Sequence, residues 1–246
     1  MPINSKSRSF ILSFTIFILV YTTAVLFFCR ILYSPAAKDS DLPIEQSSLR
    51  TVIIDAGHGG EDGGATGVNG ALEKDLNLII AKKLYDELSS VGIRCVMTRS
   101  TDMLLYDREE NYEGRKKALD MQARLDIAAK YPDAIFVSIH QNSFSAEKYR
   151  GFQAYYSTND SRSCILAQNI ESCVKNSLQP SNNRVSKASS GNIYLLEKLQ
   201  CPAVLLECGF ISNAEECDLL CDESYQKRLC ETFCDAIVDF LNQYNK

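Results

Sequence analysis

The sequence predicts a single α/β domain, with a mixed, mostly parallel six-stranded sheet flanked by helices, preceded by one transmembrane segment. Short apolar runs alternate with longer stretches whose apolar residues recur three and four positions apart, which indicates strands alternating with core-facing helices. An uncharged apolar run near the N-terminus predicts the transmembrane segment. The composition agrees, because 46% of the 246 residues are hydrophobic and 23% are charged, which excludes a disordered or collagen-like chain.

The N-terminal region predicts a membrane anchor. Residues 10–28 read FILSFTIFILVYTTAVLFF and carry no charge. As a helix with about 1.5 Å rise per residue, this run would span about 28 Å, close to the thickness of the hydrocarbon core of a bilayer. Lys6 and Arg8 precede it, so the positive-inside rule predicts that residues 1–9 are cytoplasmic and that the remainder lies outside the cytoplasm.

The region after the apolar run predicts a linker and then one domain. Residues 29–49 are mostly small and polar and include two prolines, which is typical of a linker, and residues 50–246 form the domain. The small residues around Pro35 leave an alternative, in which the apolar run is a signal peptide and the domain is secreted after cleavage.

The elements of the domain follow from the pattern of apolar residues. We expect six strands, at TVIIDA (51–56), IRCVMTR (93–99), AIFVSIH (134–140), GFQAYYS (151–157), NIYLL (192–196) and AVLLECG (203–209). We expect helices at 73–92, 116–131 and 161–178, and a final pair between 213 and 243. Functional residues of such sheets collect beyond the carboxyl ends of the strands. Three predicted strands lead to candidates there: His58, His140 and Glu207.

The histidines are the tightest constraint on chemistry, because His58 and His140 are the only two in the chain. His58 lies in DAGHGGEDGG, where five glycines allow backbone conformations that present its imidazole in the open. His140 ends an apolar strand and precedes the polar residues QNS. Two imidazoles at one edge of a sheet predict a metal site, and a catalytic zinc ion takes three protein ligands.

The third ligand is left open by the residues themselves. Glu73 opens the first long helix soon after the glycine loop, and Glu61 and Asp62 lie within that loop. An acidic residue in a first helical turn is also explained by favourable interaction with the helix dipole. We favour Glu73, with Glu61 and Asp62 as alternatives.

Glu207 predicts a catalytic carboxylate. It lies within the apolar run AVLLECGF, where an unpaired carboxylate would lose several kcal/mol of solvation free energy. Beside a metal site it could accept the proton of an attacking water molecule and return it to the leaving nitrogen. The alternative is an internal salt bridge to Arg99 or Arg124.

The net charge and the cysteines restrict the partners and the functions that the chain can have. The net charge of −5 leaves no basic surplus for a phosphate backbone, so we expect no nucleic-acid partner. The ten cysteines contain no Cys-x-x-Cys pair, which weakens a thiol redox or cysteine-metal function. We interpret most of them as core residues, and their redox state stays open.

Five segments in order, DAGHGGEDGG, EKDLNL, MTRSTD, VSIHQNS and LLECGFISN, resemble the zinc-dependent N-acetylmuramoyl-L-alanine amidase family, which cleaves bacterial peptidoglycan. The resemblance covers residues 51–243, and the ordered set is far more specific than GHGG alone. It implies Zn²⁺ as the cofactor, His58, Glu73 and His140 as its ligands, and Glu207 as the catalytic carboxylate. It thereby selects Glu73 among the three acidic candidates.

Metal sites commonly need hydrogen bonds that support the ligands, and the resemblance also implies a setting. Asn77, Arg99 and Asn142 would orient ligands or substrate through such hydrogen bonds, and the alternative for each is a purely structural role. The segments GNIYLLEK and LLCDESYQK are most similar to sporulation amidases that modify spore-cortex peptidoglycan, which implies an extracytoplasmic domain and leaves room for an activating protein partner. Two departures from the family pattern, Gln141 and Cys208, put the fine substrate preference in question.

Other functions compatible with these residues are a zinc peptidase, a carbohydrate deacetylase of the cell wall, and a peptidoglycan-binding module without activity. The released group separates the enzymes, since a deacetylase releases acetate and an amidase releases a peptide amine.

Overall fold

Six strands form one sheet in the computed structural model, which describes residues 51–107, 109 and 114–244 together with Thr22. The strands are β1 (Val52–Ala56), β2 (Cys95–Met97), β3 (Ile135–Asn142), β4 (Gln153–Tyr156), β5 (Lys187–Ala188) and β6 (Ala203–Phe210). The helices are α1 (Glu73–Ser90), α2 (Lys116–Ala129), α3 (Arg162–Ser177), α4 (Tyr194–Lys198), α5 (Ala214–Cys221) and α6 (Glu223–Tyr244). Apart from Thr22, the described residues belong to one compact unit, Ser48–Lys246.

The sheet is mixed and mostly parallel, as the sequence predicts. Its strand order is β2-β1-β3-β6-β4-β5. The first four strands are mutually parallel, β4 runs antiparallel to β6, and β5 runs parallel to β4. The carboxyl ends of β1, β3 and β6 and the amino end of β4 therefore lie at the same edge of the sheet.

The central strands are apolar because helices cover both faces of the sheet. All five residues of β1 are buried, as is usual for a parallel strand that is covered on both sides. One face packs against α1, α3 and α6 through a large cluster that includes Leu84, Ile170 and Phe233. The other face packs against α2 and α4 through a smaller cluster that includes Ala128 and Leu195.

Register places side chains of neighbouring strands in rows. His140 of β3 pairs with Glu207 of β6, and Glu207 pairs with Gln153 of β4. Because paired residues of a sheet point to the same face, these three side chains form a row across three strands. A register shift after His140 brings Asn142 opposite Phe210.

One predicted element is wrong. The segment NIYLL is not a strand, because Tyr194–Lys198 forms the short helix α4. The carbonyl of Leu196 accepts hydrogen bonds from the side chains of Ser157 and Asn159, so side chains rather than a neighbouring strand satisfy it. The sixth strand is β5, whose two residues are both exposed.

The predicted membrane anchor cannot be compared with the structure. The expected cytoplasmic segment 1–9, the anchor 10–28 and the linker 29–49 lie outside the described residues, apart from Thr22. No helix in the described part of the chain has the length and apolar character needed to cross a membrane.

Candidate metal centre

The two histidines and Glu73 meet at the carboxyl edge of the sheet. His58 Nε2 lies 3.1 Å from Glu73 Oε1, and His140 Nδ1 lies 2.9 Å from the same oxygen. One potential ligand atom from each residue lies within 4.8 Å of the other two, and the imidazole centroids are 5.0 Å apart. Within the described ranges this is the one group of three histidine, cysteine or acidic residues that could hold a metal ion.

Each member of the group comes from a different part of the fold. His58 follows β1, Glu73 is the first residue of α1, and His140 lies near the end of β3. His58 has a φ of 61°, and it is the one non-glycine residue with a positive φ among those described. An L-residue in this left-handed region is uncommon, so surrounding contacts must hold the loop.

Glu73 is held by hydrogen bonds to both carboxylate oxygens. The backbone N–H of Ala65 donates to Oε2 at 2.8 Å, and that of Gln141 donates to Oε1 at 3.3 Å. Burial raises the pKa of Glu73, but the hydrogen bonds and charges of the two imidazoles lower it by more. The net pKa therefore lies well below its usual value. Glu73 is therefore a buried, ionised carboxylate.

Asn77 lies one helical turn after Glu73 and supports it. Its amide nitrogen donates to the carbonyl of Gly57 at 3.1 Å and lies 3.5 Å from Glu73 Oε1. Its amide oxygen accepts a hydrogen bond from Gln141 Nε2 at 3.1 Å. Asn77 thus links the glycine loop to the start of α1 and to the end of β3.

Two buried arginines hold the carbonyl groups of the loop. Arg99 Nε donates to Ala56 O and its Nη2 donates to Gly57 O, each at 2.9 Å. Arg124 donates to Ala56 O and to His58 O, each at 2.8 Å. Three consecutive carbonyls are therefore fixed by guanidinium groups, which maintains the unusual backbone of His58.

The charge of Arg124 is balanced below the loop. Its Nη1 lies 2.5 Å from Asp55 Oδ1, and its Nε donates to Asp120 at 2.9 Å. Thr98 and Ser138 donate their hydroxyls to Asp55 at 2.7 and 2.6 Å. Burial raises the pKa of Asp55, but Arg124 and the two hydroxyls outweigh it and leave the pKa lowered.

We expect Asp55→Asn to destabilise the domain by about 3–5 kcal/mol, because it leaves the buried Arg124 with one carboxylate fewer. Denaturant unfolding followed by circular dichroism measures the change. Asp86→Asn, at an exposed position on α1, is the matched control and should change stability by less than about 0.5 kcal/mol. Equal stability of the two variants would contradict a structural role for the pair.

Glycines make room for the three side chains. A Cβ at Gly57 would lie 2.2 Å from His140 Nε2, so the imidazole occupies the space that a side chain would need. A Cβ at Gly64, where φ is 65°, would lie 2.5 Å from Glu73 Oε2. The glycine loop is therefore shaped around the histidine–carboxylate group.

Gly57→Ala should displace the His140 imidazole and weaken zinc binding by about 10- to 100-fold, the usual cost of disturbing the support of a metal ligand. Competition with a chromophoric chelator measures the affinity. Gly63→Ala is the matched control, since a Cβ there meets no atom within 4 Å and its φ is not positive. Unchanged affinity in Gly57→Ala would show that the ring position does not matter.

Glu207 lies beside His140 in the row across the sheet. Its Oε2 is buried and accepts no hydrogen bond from the described residues. Burial raises the pKa of Glu207 to about 7, and the negative charge of Glu73 contributes, while the histidines and Arg184 act in the opposite direction. The salt bridge to Arg99 or Arg124 that the sequence left as an alternative is not formed, because those guanidinium groups bind the loop carbonyls and Asp55.

The other candidates from the sequence do not join the group of His58, Glu73 and His140. Glu61 binds Tyr106 and Lys116 at the surface, and Asp62 lies 3.0 Å from His58 Nδ1, on the side of the ring away from Glu73. The side chain of Asn142 makes no hydrogen bond to His58, Glu73 or His140. Its backbone carbonyl accepts a hydrogen bond from the backbone N–H of Ile211. The described cysteines are free thiols and form no metal group.

Sequence reasoning missed four residues that shape this region. Arg124 appeared only as an alternative partner of Glu207, and Asp55, Gly57 and Gln153 were not singled out. Asp55 carried a signal, since a lone carboxylate in the apolar run TVIIDA needs a buried partner. The role of Gln153 follows only from strand pairing.

A cleft of about 270 Å³ opens beside the histidines. Its lining includes polar groups of the loop, such as His58 and Asp62, and the side chains of Met121, Ile193, Tyr194 and Leu205. Tyr194 is 49% exposed. A substrate can therefore reach His58 and His140, which line this cleft, from solvent.

These features define a class of protein. An α/β sheet that presents two imidazoles and a carboxylate at its carboxyl edge, with a second carboxylate beside them, is typical of metal-dependent hydrolases. The chain belongs to the N-acetylmuramoyl-L-alanine amidase family, whose model matches residues 52–239. Membership confirms the resemblance carried by the sequence motifs, and it gives the activity as hydrolysis of the amide between N-acetylmuramic acid and L-alanine in peptidoglycan. The family is zinc-dependent, and the His58, Glu73 and His140 group fits a metal site.

Individual relatives agree with this assignment. The germination-specific N-acetylmuramoyl-L-alanine amidase of Bacillus subtilis is 31% identical over 206 residues, which cover 84% of each protein. The amidase AmiA of Escherichia coli is 27% identical over 255 residues, covering 86% of this chain and 81% of AmiA. The solved structure of the amidase CwlD from Clostridioides difficile, in complex with the GerS lipoprotein, matches with a TM-score of 0.75 and 37% identity, covering 79% of this chain and 99% of CwlD.

Proposed function

We propose that this amidase binds one zinc ion through His58, Glu73 and His140 and uses Glu207 as its catalytic carboxylate. The observation that carries the proposal is that His58 Nε2 and His140 Nδ1 both lie close to Glu73 Oε1. Glu207 is paired with His140 in the neighbouring strand. Two imidazole nitrogens and one carboxylate oxygen are a usual donor set for catalytic zinc.

The surroundings of the donors fit a cation. Glu73 is buried and ionised, and a buried carboxylate needs positive charge nearby. The imidazoles supply that charge only when they are protonated, whereas metal ligation requires neutral imidazole. A divalent cation between the donors would neutralise Glu73 and leave both histidines unprotonated.

The residues of the chain divide the work of hydrolysis. Zinc, when bound, supplies Lewis acidity that polarises the amide carbonyl and increases the acidity of water. Glu207 Oε2, which has no hydrogen-bond donor among the described residues, accepts the proton of the attacking water. Glu207 then donates that proton to the amide nitrogen, so that the bond to L-alanine breaks and a free amine leaves.

Support around the site keeps these groups in place. Asn77 fixes Glu73 and the loop, and Arg99 and Arg124 hold the loop carbonyls that position His58. We assign no role to the side chain of Asn142, which binds none of the three donors.

We place the enzyme in modification of spore-cortex peptidoglycan. Similarity over most of both chains to a germination-specific amidase and to CwlD supports this setting. Action on peptidoglycan requires an extracytoplasmic domain, and residues 10–28 would tether it to the membrane or, if cleaved, would direct its secretion. The solved complex of CwlD with a lipoprotein supports a protein partner for this chain as well.

Release of new N-terminal L-alanine from purified peptidoglycan tests the function. We expect the zinc-loaded protein to release it, and a chelator to abolish the release. Acetate release without new amino termini would indicate a deacetylase. Binding to peptidoglycan without cleavage, by zinc-loaded protein with and without a candidate partner, would indicate a binding module.

A further inference from the structure

Arg184 extends the row of polar side chains beyond Glu207. Gln153 pairs with Glu207 across β6 and β4, and neighbouring strands lie about 4.8 Å apart. Arg184 Nη1 donates to Gln153 Oε1 at 2.7 Å. The order across this edge of the sheet is therefore His140, Glu207, Gln153 and Arg184.

The guanidinium of Arg184 is held in a fixed position. Its Nε donates to the carbonyl of Arg150 at 2.8 Å, and its central carbon lies 4.5 Å from the centroid of the buried Phe210 ring. Gln153, its third contact, is 1% exposed and is itself anchored by donating to the carbonyl of Val185. A guanidinium with three such contacts is pre-organised.

Arg184 has no carboxylate partner. In the described ranges, no acidic oxygen lies within 4.0 Å of its guanidinium nitrogens. The nearby buried carboxylate of Glu216 is satisfied instead by the backbone N–H groups of Gly151 and Phe210. Arg184 is only partly buried, and its Nη2 donates no hydrogen bond to these residues, so donors remain for a ligand.

The direction of the leaving group connects Arg184 to the substrate. Glu207 delivers its proton to the amide nitrogen, so the peptide that starts at this nitrogen lies on the Glu207 side of the metal ligands. Arg184 is the next cation along that side. The stem peptides of peptidoglycan carry free carboxylates beyond the first L-alanine, so these groups extend from the scissile amide toward this side.

We propose that Arg184 binds the α-carboxylate of the second residue of the stem peptide, with Gln153 as its positioning residue, and so makes the amidase selective for stem peptides in which this carboxylate is free. The proposal rests on the function proposed above for the same site. Planar guanidinium groups bind carboxylates through two parallel hydrogen bonds, and such charge-assisted bonds contribute more than neutral ones.

The test compares two muropeptides that differ only at the second residue of the stem peptide, where one has a free α-carboxylate and the other is amidated. We expect the zinc-loaded wild type to have a higher kcat/KM on the acidic form by about 10- to 100-fold. Arg184→Gln should remove this preference, mainly by raising KM for the acidic form. Arg150→Gln, which removes a neighbouring arginine paired with Glu215 at the surface, is the matched control and should keep the preference.

A binding measurement separates this proposal from the amidase function. Calorimetry of the free acidic and amidated stem tripeptides with zinc-loaded wild type and Arg184→Gln needs no hydrolysis. Tighter binding of the acidic tripeptide by the wild type, lost in Arg184→Gln, supports the carboxylate site even if no amide is cleaved. Equal binding of both tripeptides by the wild type, or a preference that survives in Arg184→Gln, overturns it.

Discussion

Glu207→Gln should lower kcat by about 10²- to 10⁴-fold and leave zinc binding unchanged. The amide has nearly the shape of the carboxylate but cannot accept the proton of water, so turnover should fall. Zinc binding should be unchanged because Glu207 does not belong to the group of His58, Glu73 and His140. Amide hydrolysis followed by appearance of new L-alanine amino termini measures kcat, and elemental analysis measures zinc.

The position also allows a control for folding. Glu207 is paired with neighbouring strands on both sides, so a damaged sheet would lower activity without any loss of proton transfer. Loss of a buried, unpartnered carboxylate should instead keep or increase the melting temperature. Wild-type turnover by a folded Glu207→Gln protein would exclude Glu207 as the proton carrier, and lost zinc would place it among the ligands.

His58→Ala and Glu73→Ala should each abolish stoichiometric zinc binding and, with it, hydrolysis. Wild type is expected to hold about one zinc ion per chain, because the structure offers one three-donor group among its described residues. With one donor removed, the two that remain are too few for a catalytic site. Equilibrium dialysis followed by elemental analysis measures the stoichiometry.

Glu61→Ala is the matched control for Glu73→Ala, because Glu61 was an alternative ligand in the same part of the sequence. Its carboxylate binds Tyr106 and Lys116 at the surface, so its loss should leave zinc at the wild-type level. The assignment of Glu73 would be wrong if Glu61→Ala lost zinc and Glu73→Ala retained it.

The sequence predicted most of the fold because its signals are local. Strands β1, β3 and β6 consist mainly of buried apolar residues, and α1, α3 and α6 repeat apolar residues at helical spacing. NIYLL was misread because a short apolar run has no period that separates a strand from a buried helix. Strand β5 escaped prediction because its two exposed residues, Lys187 and Ala188, carry no apolar pattern and join the sheet only through pairing with β4.

The site was predictable to the extent that its residues differ from their surroundings. Two histidines at strand ends pointed to a metal, and the family motifs selected Glu73 where residue chemistry alone did not. Arg124 and Arg184 could not be assigned in this way. Each acts through partners far along the chain, such as Asp55 for Arg124, and no spacing rule in a single sequence reveals such pairs.

The start of helix α1 shows a compromise between stability and function. It begins without a side-chain cap, since Leu72 occupies the cap position, and its first acidic residue points to the histidines instead of serving the helix end. A protein selected only for stability would have a serine or aspartate in place of Leu72 and no buried charge at the position of Glu73. We therefore expect zinc bound at the first turn of this helix to stabilise the fold, so that the melting temperature rises with zinc concentration.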